Sequence, residues 1–353
     1  MASSEGPSAS AAEGADASTL PKVPIGKEIA PGLAPSAVIK GCWQLAGGHR
    51  GDRSTDRTTG KAAVEDFQPF VNAGITTFDT ADIYGPSESL IGDYLRKTKD
   101  RPPVQVFTKC CFFGSSQQNV SLQAVEQKID LSRQHLGVDS LDLVQMYWQD
   151  YSVRNYVKAA QALQALQEKG KIRAVAVTNL ATKQLEEMVS AGVKIAANQV
   201  QYSLLDRRPE NGLVDFCQKH DISLLPFGTV GGGFLTDKYL GVSADQASKT
   251  INTYSLQKYA NTLGRVGSWD WLQELLTCLR SIADKHSTDV ANVSSKWVLQ
   301  RPTVAAIIIG ARNANHVEDH RRLFTFELDG EDLATIDVVL AKGRKPQGDV
   351  SVS

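Results

Sequence analysis

The sequence predicts an α/β chain folded as a single (β/α)8 barrel of the TIM type. Three observations predict it. Eight short β-like runs follow residue 25, longer amphipathic stretches separate them, and no linker-like boundary divides the series. A doubly wound sheet is the competing architecture. It needs a G-x-G-x-x-G turn after its first strand, and none is present there.

The eight runs are AVIKGCW (37–43), TTFDT (76–80), VQVFTK (104–109), LDLVQMYW (141–148), IRAVAVTN (172–179), AANQVQY (196–202), ISLLPFG (222–228) and VAAIIIG (304–310). Several are apolar almost throughout, as strands covered on both faces are. Between them, SLQAVEQKIDLSRQHLG puts Leu122, Val125, Ile129 and Leu136 on one stripe and stops at Gly137. YVKAAQALQALQEKG repeats the pattern with Val157, Leu163, Leu166 and Gly170. TKQLEEMVSAG begins at an N-cap-like Thr182 and stops at Gly192. Pro69 inside AVEDFQPFVNAG predicts a kink or an early break. Residues 229–268 are too long for a plain turn and read as an inserted loop, a usual place for function.

The 353 residues suit one large barrel, with 42 % apolar and 22 % charged residues as in an ordinary soluble protein. A net charge of -1 gives no sign of a nucleic-acid or anionic-membrane partner. No apolar run reaches the ~20 residues of a membrane helix. Residues 1–24 are rich in Ala, Ser and Gly and are expected to be disordered, 25–345 to form the barrel, and 346–353 to be a flexible tail. The opening segment lacks a secretory pattern, and Glu5, Glu13 and Asp16 disfavour a transit peptide. A cytoplasmic location is expected, with organelle targeting left open. The five cysteines lack metal spacing and read as reduced thiols, with Cys110 and Cys111 as buried strand-end groups.

In such a barrel, chemistry gathers at the carboxyl ends of the strands. Asp79, Lys109, Tyr147, Thr178, Asn179, Gln199, Phe227 and Gly310 all fall at or near those ends. A carboxylate and a lysine on adjacent strand ends would pair, because either charge desolvated alone is costly. Tyr84 follows in the next loop. An ammonium beside it would lower its pKa from ~10 and make it a proton donor and acceptor usable near neutral pH. Taken singly, Asp79 could be a cap or turn former, Lys109 a solvated strand end and Tyr84 a core-edge aromatic. Having all three in strand-terminal register shifts the balance toward a working group, and such a phenol can protonate the oxygen of a carbonyl as hydride reaches its carbon.

The stretch FDTADIYGPSESLIG, with Lys109 closing VFTK, resembles the aldo-keto reductases, and the resemblance runs from about residue 35 to 340. It implies a (β/α)8 barrel that binds NADPH and reduces small aldehydes or ketones. Asp79, Tyr84 and Lys109 match three members of the family's catalytic tetrad, with Tyr84 as general acid. The fourth is usually a histidine, and Tyr147 stands in its place; a phenol can still donate a hydrogen bond but does not titrate as an imidazole does. NQVQYSLLDRRPE (198–210) is similar to the branch that holds the β subunits of voltage-gated potassium channels. That similarity raises a second expectation, a nicotinamide-binding regulatory or redox-sensing protein with slow turnover. Channel-type relatives assemble, so an oligomer is possible.

The same resemblance implies a cofactor site. Thr178, Asn179 and Gln199 would bind the nicotinamide carboxamide, and Phe227 would stack on the ring. GTVGGGFLTDKY, with Gly228, Val230, Gly232 and Lys238, would fold over the pyrophosphate. Gly310, Arg312, His316, Asp319 and His320 would serve the 2′-phosphate and adenine, Arg312 by a bidentate pair. Trp43 matches a cofactor contact near the first strand. His316 and His320 are four apart, but no third ligand stands nearby and no metal is expected.

Overall fold

A computed structural model describes residues 19–46, 60–311 and 313–350. Eight parallel strands close on themselves in chain order: β1 (Val38–Gly41), β2 (Thr77–Asp79), β3 (Gln105–Phe112), β4 (Leu141–Trp148), β5 (Ile172–Thr178), β6 (Ala197–Gln201), β7 (Ser223–Phe227) and β8 (Ile307–Gly310). Closure comes where β1 pairs with β8, Lys40 facing Ile309 and Gly41 facing Gly310. All eight anticipated runs contain a strand. β3 continues past the expected end at Lys109 to Phe112, so Lys109 projects from within the strand.

The alternation of strand side chains divides the molecule. Inward positions at the lower end hold Ile39, Phe107, Leu143, Ala174, Ala197, Leu225 and Ile308, a closed apolar plug. The bulk of Phe107 and Leu143 complements the alanines, so the barrel is filled rather than hollow. From below, a short antiparallel bridge of Ala30 with Leu33 presses Ile29 and Leu33 onto this plug. One layer higher the inward residues turn polar: Asp79 on β2, Lys109 on β3, Gln145 on β4 and Gln199 on β6. Water is excluded beneath them, so every polar group there must find a protein partner or lie open to the mouth.

The helices cover the outside, and several local expectations change. Ser121 caps the helix Leu122–Leu136, and Gly137 ends it in the left-handed region at φ 70°. Val125, Ile129 and Leu136 are buried, but Leu122, at the first helical position, is exposed. In the helix Thr182–Ser190 the cap is Ala181, and Thr182 is the first helical residue. Pro69 does interrupt its helix, at Asp66, which separates Gly60–Glu65 from Phe67–Asn72. The break falls one turn upstream because a proline ring collides with the carbonyl four residues before it, here that of Glu65.

Residues beyond both ends of 25–345 pack onto the barrel. Leu20 and Val23 are buried, and the Val23 amide donates to the Ala73 carbonyl at 2.8 Å. At the other end Val350 is buried, and the Asp349 carboxylate accepts from the Thr182 amide at 2.8 Å. The inserted segment after β7 is structured as two 3-10 turns and the helices Ala244–Ser248 and Tyr254–Val266. Among the described residues, no helix is long and apolar enough to cross a membrane, and no cluster of three or more His, Cys, Asp or Glu could hold a metal.

Candidate functional site

Asp79 is the centre of a buried network at the top of the barrel. Its Oδ1 accepts from Lys109 Nζ at 2.6 Å, and its Oδ2 accepts from Gln145 Nε2 and Gln199 Nε2, each at 2.7 Å. Gln199 Nε2 also donates to Gln145 Oε1 at 2.7 Å, and Lys109 donates a second bond to the Thr80 carbonyl at 2.9 Å. Both charged side chains are about 5 % exposed. Such a pair is tolerated only because its remaining lone pairs and protons are satisfied, and here two glutamines supply that.

Tyr84 comes from the loop after β2 and is half-buried at the mouth. Lys109 Nζ stands 5.1 Å from the centre of its ring, and the ring meets Trp43 edge to face at a centroid distance of 5.1 Å. The sequence expectation of a lowered phenol pKa is overturned. Burial raises it, the Lys109 charge and hydrogen bond pull it down by less, Asp79 adds to the rise, and the outcome is about 12. Tyr84 is therefore a protonated phenol across neutral pH and carries a hydrogen-bond donor at the mouth. For Lys109, burial works against the ammonium, but Asp79 and Tyr84 outweigh it and raise the pKa above the ordinary lysine value.

Register brings Tyr147 into the layer above. It lies opposite Cys111 on β3 and Thr178 on β5, and its ring packs on Phe113 at 5.4 Å. Cys110 and Cys111 are buried, and burial pushes both thiols well up, so they remain unreactive. Thr178 is buried with its hydroxyl on the Gln199 carbonyl at 3.1 Å. Asn179 sits in the left-handed region at φ 55°, its carbonyl accepting from the Tyr151 hydroxyl at 2.6 Å. Gln199 has both amide hydrogens committed to Asp79 and Gln145, so only its carbonyl oxygen is left for a ligand. This narrows the donor-and-acceptor role expected of it.

Phe227 ends β7 with its ring under Lys258 Nζ at 5.1 Å. The glycine loop follows. Gly228 and Gly232 have φ of 73° and 66°, and a Cβ on either would come within 2.3 Å of Tyr259. Only glycine satisfies both the backbone and that ring. Val230 is half-buried in the same turn. Lys238 is exposed, its ammonium 5.1 Å from the Tyr239 ring.

Gly310 closes β8, but Arg312 lies outside the described residues. Asp319 is engaged by His316, which precedes its helix, at 2.8 Å, and by Arg322 within the helix. Burial drives the His320 pKa down to about 4, with Asp319 opposing and His316 and Lys40 adding. A depressed folded pKa stabilises above the unfolded value of ~6.5 and loses that stabilisation as pH falls through about 4. Thermal unfolding is expected to move to lower temperature between those values, and His320→Gln to flatten that fall. An unchanged slope in the variant would remove His320 from the account.

Sequence reading missed three residues. Gln145 was legible in principle, since it shares the inward alternation with Leu143 and Tyr147. Lys40 is buried outside the barrel, 4.5 Å from the Phe70 ring centre, and donates to the Ala311 carbonyl at 3.0 Å. It thus anchors the segment that leads to Arg312. Lys258 gave no signal, because only the folded insertion carries it back over β7.

The sequence matches the aldo/keto reductase family over residues 37–341. The chain belongs to the aldo/keto reductase family. Among curated relatives of this reductase, aldo-keto reductase YhdN of Bacillus subtilis is 24 % identical over 317 residues, covering 88 % of this chain and 91 % of its own length. Among solved structures, the glycerol dehydrogenase AKR11B4 of Gluconobacter oxydans superposes with a TM-score of 0.72 at 22 % identity, covering 93 % of this chain and 98 % of that one. An aldo-keto reductase of Klebsiella pneumoniae crystallised with NADPH gives 0.67 at 21 % identity, over 95 % and 99 % of the two chains. The reductase fold therefore spans nearly the whole described chain.

Proposed function

We propose that this aldo/keto reductase reduces an aldehyde or ketone with NADPH, and that Tyr84 is the general acid. The carrying observation is the Tyr84 phenol beside a buried ammonium, its ring centre 5.1 Å from Lys109 Nζ, which is itself fixed by Asp79 at 2.6 Å. Family membership and the NADPH complex of the Klebsiella neighbour support the cofactor.

The residues present fit that cofactor. Phe227 offers a ring face at the end of β7, Thr178 and Asn179 offer polar groups at the end of β5, and Trp43 borders Tyr84. The left-handed glycines at 228 and 232 allow backbone N–H groups to approach phosphate, with Val230 in the turn and Lys238 nearby in sequence. Gly310, Arg312, His316, Asp319 and His320 form the segment for the adenosine 2′-phosphate end. When bound, NADPH supplies a hydride.

The chain's own residues supply the rest. Tyr147 helps to place the carbonyl oxygen, standing where the family usually has histidine. As hydride adds to the carbon, the Tyr84 O–H bond breaks and its proton goes to the oxygen. The phenolate left behind is stabilised by the Lys109 ammonium. Asp79 keeps Lys109 charged and aimed, and Gln145 and Gln199 keep Asp79 from turning. Tyr84, half-open to the mouth, regains its proton from solvent.

Arg312→Ala tests the cofactor assignment. A charged hydrogen-bonding group contributes about 1.5–3 kcal/mol, so the Kd for NADPH should rise tenfold or more, while the Kd for NADH stays nearly constant. Equal losses for both cofactors would take Arg312 out of the 2′-phosphate site.

A further inference from the structure

A cavity of about 840 Å³ lies between the loop after β6, the end of the helix Tyr254–Val266 and the C-terminal segment. That volume is in the range of small-molecule sites. Its charge is one-sided. Arg208, Arg265, Arg344 and Lys345 line it, against the single carboxylate of Asp206. Asp206 is already held in a two-pronged pair by Arg208, through Nε at 2.8 Å and Nη2 at 2.7 Å. Arg344 donates to the carbonyls of Arg265 and Gly264 at 2.8 and 2.6 Å, which pins the C-terminal segment to the helix end. A cation at a helix C-terminus is ordinary, and it accounts for Arg344. Arg265 stands in the last turn of that helix and is placed the same way, and Arg208 is engaged by Asp206; Lys345, from the C-terminal segment, adds a charge that forms no ion pair among the described residues.

One wall of the cavity meets the upper end of β6. Gln201 faces inward on β6, two residues above Gln199, and is 4 % exposed. Its Nε2 reaches Thr262 Oγ1, in the cavity wall, at 3.4 Å. Its Oε1 is buried without a partner. Two strand residues correspond to about 7 Å, so Gln201, whose amide reaches the cavity wall, stands about that far along β6 from Gln199 in the layer that holds Asp79 and Lys109.

We infer that this cavity receives the anionic end of the substrate, a carboxylate or phosphate carried on the far side of the molecule from its aldehyde or ketone. The inference rests on the reductase reading for where the carbonyl lies. The guanidinium of Arg265 can bind either anion in two-pronged fashion and the ammonium of Lys345 adds a point charge, while Asp206, neutralised by Arg208, adds little repulsion.

The test compares three aldehydes of one size with NADPH: 4-carboxybenzaldehyde, 4-formylphenyl phosphate and the neutral methyl 4-formylbenzoate. The wild type is expected to favour at least one anionic aldehyde over the ester by tenfold or more in kcat/KM, mainly through KM. The double variant Arg265→Ala, Lys345→Ala is expected to lose most of that ratio. Equal kcat/KM for the ester and both anions in the wild type, or a ratio that survives in the double variant, overturns the inference and leaves the reductase reading intact. Calorimetric titration with the same anionic aldehydes separates the two failures. Binding that weakens tenfold in the double variant supports the cavity even if no aldehyde is reduced, and the reductase reading then fails alone. Absence of both turnover and binding overturns both.

Discussion

Tyr84→Phe is expected to lower kcat for carbonyl reduction by about 10²–10⁴-fold, the usual contribution of a positioned acid. Phenylalanine keeps the ring that meets Trp43 edge to face and that lies 5.1 Å from Lys109 Nζ, so the walls of the site should survive. Only the hydroxyl is removed. With no proton for the forming alkoxide, hydride transfer would have to leave a full negative charge on oxygen at the mouth. Fluorescence titration should show NADPH binding within a few-fold of wild type. If turnover is retained, the donor is another group, and the half-buried Tyr147 would be the next to test.

Lys109→Met has the largest expected effect on stability. The substitution removes the partner of a carboxylate about 5 % exposed at 2.6 Å. Breaking one side of a buried pair costs about 3–5 kcal/mol, a large share of the 5–15 kcal/mol that holds a typical domain together. The two glutamines on Asp79 Oδ2 remain, but Oδ1 is left facing a thioether. Activity should fall as well, because Lys109 is the main influence drawing the Tyr84 pKa down. Denaturant unfolding measures the first effect. The double variant Asp79→Asn, Lys109→Met should recover part of the lost stability, since a neutral amide no longer needs the cation. An unchanged midpoint for Lys109→Met would show that the pair is not buried as described.

The barrel was legible in the sequence because its signals are local. Strands covered on both faces read as apolar runs, and helix ends carried their stop residues, as at Gly137 with φ 70°. The site was partly legible for the same reason: strand ends are where barrel chemistry sits, and Asp79, Lys109 and Tyr84 fall there. What failed was the sign of a balance. Proximity of Lys109 to Tyr84 could be inferred from spacing, but the burial that outweighs it could not, and the phenol ends at about 12 rather than below 10. Gln199 shows a second limit. A polar residue at a strand end looks like a ligand group, yet its amide hydrogens are taken by Asp79 and Gln145. Lys258 and the basic cavity depend on how the insertion and the C-terminal segment fold back, and periodicity does not encode that.

The central claim is that the phenol of Tyr84, set by Lys109 and Asp79, protonates a carbonyl as it is reduced. Single-turnover oxidation of bound NADPH by an activated aldehyde such as 4-nitrobenzaldehyde, followed by stopped-flow absorbance, tests it most directly. The account predicts oxidation several orders of magnitude faster than the same cofactor and aldehyde in buffer, lost in Tyr84→Phe. A rate on the protein no greater than in buffer, with NADPH bound, would contradict it.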